Sequence, residues 1–324
     1  MANAVHPTIT PTDFPGLGTH LEAQYNIVVS QITQLDLVVC RIDRHEGPSW
    51  IARVFESSCP IEVVEGDAEI LRFLERLGFP AERCANPSPI STKPSGHHVL
   101  VTEFVEGRRP RKGEQLFPRL GDLLGRLHSM QIGNVGVLAR SGGAWHHICS
   151  EGGPKEEIQA TLALLKETKE KMLGDRPELY EKLEGKLEEM DNFEDLPRAF
   201  VHPDLVPSNV VTSISGDLVV VDWAGAGTGP RIPSIGFLLW AAGHRSMTQV
   251  EAVAEAYSKH VSLTEEEVVR LAGAVWFRPL VLRCWEFCAG KTKLEDVLEG
   301  LPQMEELADR VAFVAGKTFL QEGC

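Results

Sequence analysis

Apolar and polar positions along the chain follow two different periods, one in each half. From Ile27 to Phe55 apolar and β-branched residues come in short runs, namely Ile27-Val28-Val29, Leu35 to Ile42 and Trp50 to Phe55, which predicts strands. The segment RHEGPS, Arg44 to Ser49, carries the Gly and Pro of a turn between the last two runs. In GDAEILRFLERLG, residues 66–78, Ile70, Leu71, Phe73, Leu74 and Leu77 recur at helical spacing and Gly78 ends the pattern. Residues 80–97 read as a Pro- and Ser-rich loop. Val99-Leu100-Val101 is a further strand that leads into Glu103-Phe104-Val105-Glu106-Gly107. After Gly107 the helical period takes over. Leu116 to Met130 is amphipathic, and Lys155 to Met190 is charged with Leu and Met at helical spacing, interrupted at Gly174–Pro177. Three or four helices are expected from Ser234 to the end. Residues 1–20, rich in Pro, Thr and Gly, read as an extended arm. The expected fold class is α+β. A small β-rich half, residues 1–105, meets a larger, mainly helical half, residues 106–324, through a connection at about 103–107.

One hairpin interrupts the helical half. Val210-Val211 and Leu218 to Val221 are its strands, and Ile214-Ser215-Gly216-Asp217 is its turn. A hairpin centred between Ser215 and Gly216 places Asn209 opposite Asp222 at the open end, with Asp204 on the loop that feeds it. Singly, Asp204 and Asn209 read equally well as turn or cap residues. Together with Asp222 they suit a divalent metal held by oxygen plus a catalytic carboxylate.

Composition narrows the partners. At 324 residues the chain is long enough for one large or two medium domains. A formal charge of -14 argues against nucleic acid and is compatible with a cationic small molecule. No apolar run has the length of a membrane span, and the N-terminus lacks the pattern of a secretory signal. The seven cysteines, irregularly spaced, are expected to be reduced thiols of a cytoplasmic protein. The oligomeric state, monomer or homodimer, stays open.

The order of a β-rich lobe, a linker and a helical lobe with a polar hairpin resembles the kinase-like fold. The chain is similar to the aminoglycoside phosphotransferase family of small-molecule kinases. HPDLVPSN (202–209) resembles that family's catalytic loop H-x-D-x-x-x-x-N, and VVVDW (219–223) its strand ending in a metal-binding Asp. LGDLLGRLHSM (120–130) and WIARVF (50–55) resemble its Leu-His helix and its third strand. The resemblance implies a bilobal protein-kinase-like fold and transfer of phosphate from ATP, or GTP, with Mg²⁺. The acceptor would be a hydroxyl of a small molecule, either a cationic antibiotic or a metabolite such as choline, a sugar or an amino alcohol. It implies that Asp204 orients the acceptor hydroxyl and takes its proton, and that Asn209 and Asp222 hold the metal. Arg53 would face the α/β-phosphates, and Asp67, with Glu69 as the alternative, would pair with Arg53. The Glu103 carbonyl and Val105 amide would meet the adenine edge. Acids of the helical insert (Glu156, Glu157, Glu188, Glu189, Asp191, Glu194, Asp195) would receive an amine.

Three departures stand out. No Gly lies around Thr33–Asp36, where the family's phosphate-covering loop is expected. Ser234 stands where the family often has an Asp that supports the catalytic loop, and Pro203 stands between His202 and Asp204. They leave room for a catalytically silent nucleotide-binding protein of the same fold. Other motifs lack their context. The two GKT triplets, at 290–292 and 316–318, have Trp285 and Val311 where a P-loop needs Gly. GAGTG (225–229) has the wrong spacing for a dinucleotide fingerprint, and the pairs His97-His98 and His146-His147 lack zinc-spaced partners.

Overall fold

Strands dominate the N-terminal region and helices the C-terminal region, so the fold is α+β. The computed structural model describes residues 14–111, 115–130, 140–142, 152–171 and 176–321. The second histidine pair, His146-His147, lies outside the described residues. In chain order the N-terminal elements are α1 (Leu17–Tyr25), β1 (Val29–Asp36), β2 (Val39–Arg44), β3 (Trp50–Val54), α2 (Ile61–Arg76), β4 (Ile90–Thr92), β5 (His98–Glu103) and β6 (Gly107–Arg108). Then come α3 (Leu116–His128), α4 (Pro154–Lys171), α5 (Pro177–Glu188), β7 (Arg198–Val201), β8 (Val210–Ser213), β9 (Leu218–Val220) and β10 (Gly227–Pro230). The chain ends with α6 (Ile232–Gly243), α7 (Met247–Ser258), α8 (Glu265–Val269), α9 (Leu271–Cys288) and α10 (Leu294–Gln321). These elements group into two compact units, Met1–Arg109 with Val210–Ala224, and Pro110–Asn209 with Gly225–Cys324.

In the first unit five strands pair antiparallel in the order β1-β2-β3-β5-β4. Strand β3 buries Trp50, Ala52 and Val54 and turns Ile51 and Arg53 to the other face, as a period of two requires. Leu17 and Leu21 of α1 close the core over Cys40, Ile42, Val99 and Val101. The end of the expected extended arm is therefore helical, because two leucines one turn apart bury their side chains completely. The expected loop around Thr33–Asp36 is the end of β1. The chain turns at Leu37-Val38, where Asp36 Oδ1 accepts the Leu37 amide at 2.7 Å. Helix α2 starts at Ile61, earlier than the periodic stretch, because Pro60 stands at its N-cap and Val64 extends the buried stripe of Ala68, Leu71 and Leu74. Strands β6, β8 and β9 form a separate small sheet. Val210 pairs with Val220, Val211 with Val219 and Thr212 with Leu218, so the hairpin centres on Ser215 and its pairing is shifted by one residue from the expected one. Asp222 therefore lies one residue beyond the position that mirrors Asn209.

In the second unit glycines let helices approach closely. An added Cβ at Gly121 of α3 would stand 2.6 Å from the Val253 carbonyl oxygen of α7. Residues 227–229 of GAGTG fall in strand β10, whose Gly227 pairs with Val201 of β7. Leu165, Tyr180, Leu183, Leu187, Leu280, Leu298 and Leu301 build the core shared by α4, α5, α9 and α10. Among the described residues no helix is long and apolar enough to cross a membrane. Among the described residues Cys40, Cys84, Cys284 and Cys288 are free thiols.

Candidate active site

Strand β3 presents Arg53 on the face away from its core residues, and Arg53 Nη2 donates to Asp222 Oδ1 at 2.5 Å. The two side chains are 15% and 27% exposed. Burial alone would lower the Arg53 guanidinium, but the charges of Asp222, Glu82, Asp67 and Asp36 outweigh it and hold Arg53 above its ordinary range. Asp67 is buried on α2 while Glu69 is exposed, so of the two candidates it is Asp67 whose charge reaches Arg53.

Asp222 follows β9 with φ 68, a left-handed conformation that costs a non-Gly residue strain. Glu82 holds it there. Its Oε1 accepts the Asp222 amide at 2.7 Å and its Oε2 accepts the Thr102 hydroxyl of β5 at 2.9 Å. Burial pushes the Glu82 carboxyl up, and Arg53 opposes that shift. Glu82 lies in the segment read as a Pro/Ser-rich loop, where nothing marks it in the sequence. Glu103 ends β5, its amide donating to the Arg83 carbonyl at 2.8 Å, and Phe104 N donates to the Ser49 carbonyl at 2.9 Å. Val105, next in the chain, is half-buried.

In the second unit the loop after β7 carries Asp204. Its amide donates to His202 Nδ1 at 3.0 Å, and the Asn209 side-chain amide donates to its carbonyl at 3.0 Å. His202 is fully buried, and its carbonyl accepts the Ser234 hydroxyl of α6 at 3.1 Å. Histidine thus braces the loop, and Ser234 supports it with a neutral bond.

The Asp204 carboxylate itself is gripped from α9. Arg278 Nε donates to Oδ1 at 2.8 Å and Nη2 to Oδ2 at 2.9 Å, a two-pronged charge-assisted pair. The remaining arm, Nη1, donates at 2.5 Å to Glu157 Oε1 on α4. Burial pushes the Glu157 carboxyl up to about 7, against the pull of Arg278. Arg278 stays charged because Asp204 and Glu157 outweigh the burial that would lower it. A cavity of about 30 Å³, room for one water, opens beside Glu157, His202, Ser234 and Arg278.

Arg278 carries no sequence signal, since a charged residue in the helix WFRPLVLRCW reads as a surface position. Glu157, expected to receive an amine, is instead buried against Arg278. Arg270 similarly engages Asp191 at 2.5 Å and Asp195 at 2.8 Å. A larger cavity of about 480 Å³ runs along α6, α9 and α10, with Trp240 and His244 on one wall and Glu286, Asp296 and Arg283 on another.

The donor set bears on a metal. No three His, Cys, Asp or Glu side chains among the described residues gather into a cage. Mg²⁺ needs few protein oxygens because water and phosphate complete its shell, so one amide oxygen and one carboxylate fit it. With its side-chain nitrogen donating to Asp204, Asn209 keeps its amide oxygen as an acceptor.

The model of a phosphotransferase enzyme family matches residues 33–272. The chain belongs to this family. Its members are kinase-fold enzymes, and two solved structures share the fold. An amicoumacin kinase in complex with AMP-PNP and Ca²⁺ is 16% identical, with 93% of this chain and 94% of that chain covered and a TM-score of 0.61. An aminoglycoside phosphotransferase from Streptomyces rimosus in complex with ADP and streptomycin is 15% identical, with 83% and 98% covered and a TM-score of 0.59. A homoserine kinase from Zymomonas mobilis is 26% identical over 219 residues, a match spanning 60% of each chain.

Proposed function

We propose that the chain transfers the terminal phosphate of ATP, or GTP, to a hydroxyl of a small molecule in the presence of Mg²⁺. The observation that carries this reading is Asp204. Its carboxylate, 14% exposed, is held by both prongs of Arg278 on the loop that resembles the family's catalytic loop. Phosphoryl transfer asks mainly for positioning and for offset of charge, and an oriented carboxylate that takes the acceptor proton supplies the first.

The first unit contributes Arg53, with Asp67 behind it, toward the nucleotide phosphates, and the Glu103 carbonyl and Val105 amide toward the adenine edge. Asn209 and Asp222 would hold Mg²⁺, which would supply positive charge to offset that of the phosphates. In this reading Arg53 would serve the phosphates and Asp222 the metal, in place of their direct pair.

For the acceptor we favour a hydroxylated amine, because the chain's formal charge of -14 would draw an organic cation. The alternative is a silent nucleotide-binding protein, favoured by the direct Arg53–Asp222 pair, which occupies the metal carboxylate. Turnover of ATP against a panel of hydroxylated amines, amino acids and sugars, wild type beside Asp204→Ala, separates the two. Phosphorylated product lost in Asp204→Ala supports the kinase. Nucleotide binding with no product from any acceptor supports the silent protein.

A further inference from the structure

We propose that Arg278 and Glu157 are positioning residues for Asp204, with Glu157 fixing the guanidinium and the guanidinium fixing the carboxylate. The role, though not the geometry, rests on the phosphotransferase reading of Asp204. Rotation of an aspartate carboxylate about its last bond is soft, so a loop residue alone does not set the plane of its oxygens. Here a planar fork bonds both oxygens at 2.8 and 2.9 Å and sets that plane.

The fork needs its own anchor. Arg278 is 4% exposed and the Glu157 side chain 3%, so neither can trade its partner for solvent. Three further facts make this more than packing. Ser234 bonds the His202 carbonyl, not the Asp204 carboxylate, so α6 leaves the carboxylate to α9. Glu157 caps the one arm of Arg278 that Asp204 does not use. The three charges come from α4, the catalytic loop and α9, so the orientation of Asp204 is tied to two helices far away in sequence.

The charged groups that face Glu157 are Arg278 from α9 and Asp204 from the loop, and His202 lines the same small cavity. On its own helix Lys155 and Glu156 are exposed. Arg278 therefore stands between the carboxylate of Asp204, which it bonds through two arms, and that of Glu157, which gains its charge near neutral pH.

Two measurements test the clamp. First, kinetics over about pH 5 to 9 compare wild type with Arg278→Lys and Glu157→Gln. Arg278→Lys keeps the charge and loses the fork, so kcat should fall about 10- to 100-fold while the KM for ATP holds. Wild type is expected to show an inflection of kcat near pH 7, and Glu157→Gln to lose it. Second, a carboxyl-carbon NMR titration of Asp204 and Glu157 needs no acceptor. In Arg278→Lys the Asp204 midpoint should rise, and Glu157 should titrate near neutrality in wild type. Wild-type kcat in Arg278→Lys, or an Asp204 midpoint indifferent to that change, overturns the clamp. If wild type turns over no acceptor, the kinase reading fails while the NMR titration still decides whether Arg278 governs Asp204. If Glu157→Gln does not fold, Arg278→Lys and the wild-type titration carry the decision.

Discussion

Gly236→Ala tests how closely the helices behind the catalytic loop are fitted. A Cβ at Gly236 would stand 2.4 Å from the Ala274 carbonyl oxygen, 2.6 Å from its carbonyl carbon and 2.9 Å from the Val275 nitrogen. All three atoms are backbone of α9, so no side chain can swing aside. Ordinary contact begins at 3.4 Å, so α6 and α9 must part by about 1 Å. Overpacking of this kind costs about 1–3 kcal/mol, and the better helix propensity of Ala returns about 0.5–1 kcal/mol. Gly236 lies two residues after Ser234, which bonds the His202 carbonyl, and Ala274 lies one turn before Arg278, which bonds Asp204. Separation of the helices therefore moves both supports of the loop. The expected result is a lower midpoint of urea unfolding at unchanged slope, with kcat reduced more than nucleotide affinity. Gly185 is the control. It sits inside α5 with nothing within 4 Å of an added Cβ, so Gly185→Ala should stabilise by about 0.5–1 kcal/mol. A Gly236→Ala protein as stable and as active as wild type would show that α6 and α9 are not held at this distance, and the reasoning would fail.

Other outcomes follow from the same geometry. Arg53→Ala should raise the KM for ATP or lower kcat at least about 10-fold, and wild-type kinetics would remove Arg53 from the nucleotide site. Thr264 and Glu267 form a capping box at α8, so Thr264→Ala should cost about 1–2 kcal/mol in urea unfolding, whereas a loss within error would mean water replaces the cap. Glu157 binds its proton up to about pH 7 in the folded chain, against an ordinary value of 4.5. The folded state then holds more protons than the unfolded state between those values, so this group's contribution to stability falls as pH rises through that window. Denaturation at a series of pH values should show the slope in wild type and its absence in Glu157→Gln; equal slopes would refute the assignment.

Much of the fold was legible because it follows local periods. Short apolar and β-branched runs predicted the strands around Trp50 to Phe55 and Val99 to Val101, and helical spacing predicted α3 and the long C-terminal helices. Asp204, Asn209 and Asp222 could be singled out because all three lie within 19 residues of chain. Where the period was thin the reading slipped. Two leucines in a Pro/Gly-rich stretch form α1, Asp36 moves the first turn to Leu37-Val38, and the hairpin register differs by one residue.

What the sequence by itself determined is thus the candidate segment from Asp204 to Asp222 and the type of most elements, since spacing, turn residues and side-chain period act over a few residues. Only the tertiary structure decided which charges meet. Arg53 bonds Asp222 across 169 residues, Glu82 bonds the Asp222 amide across 140, and Arg278 bonds Glu157 across 121. A charged residue in an amphipathic pattern looks the same whether it faces solvent or a buried partner. The difference is a matter of desolvation, which depends on what the rest of the chain packs against it.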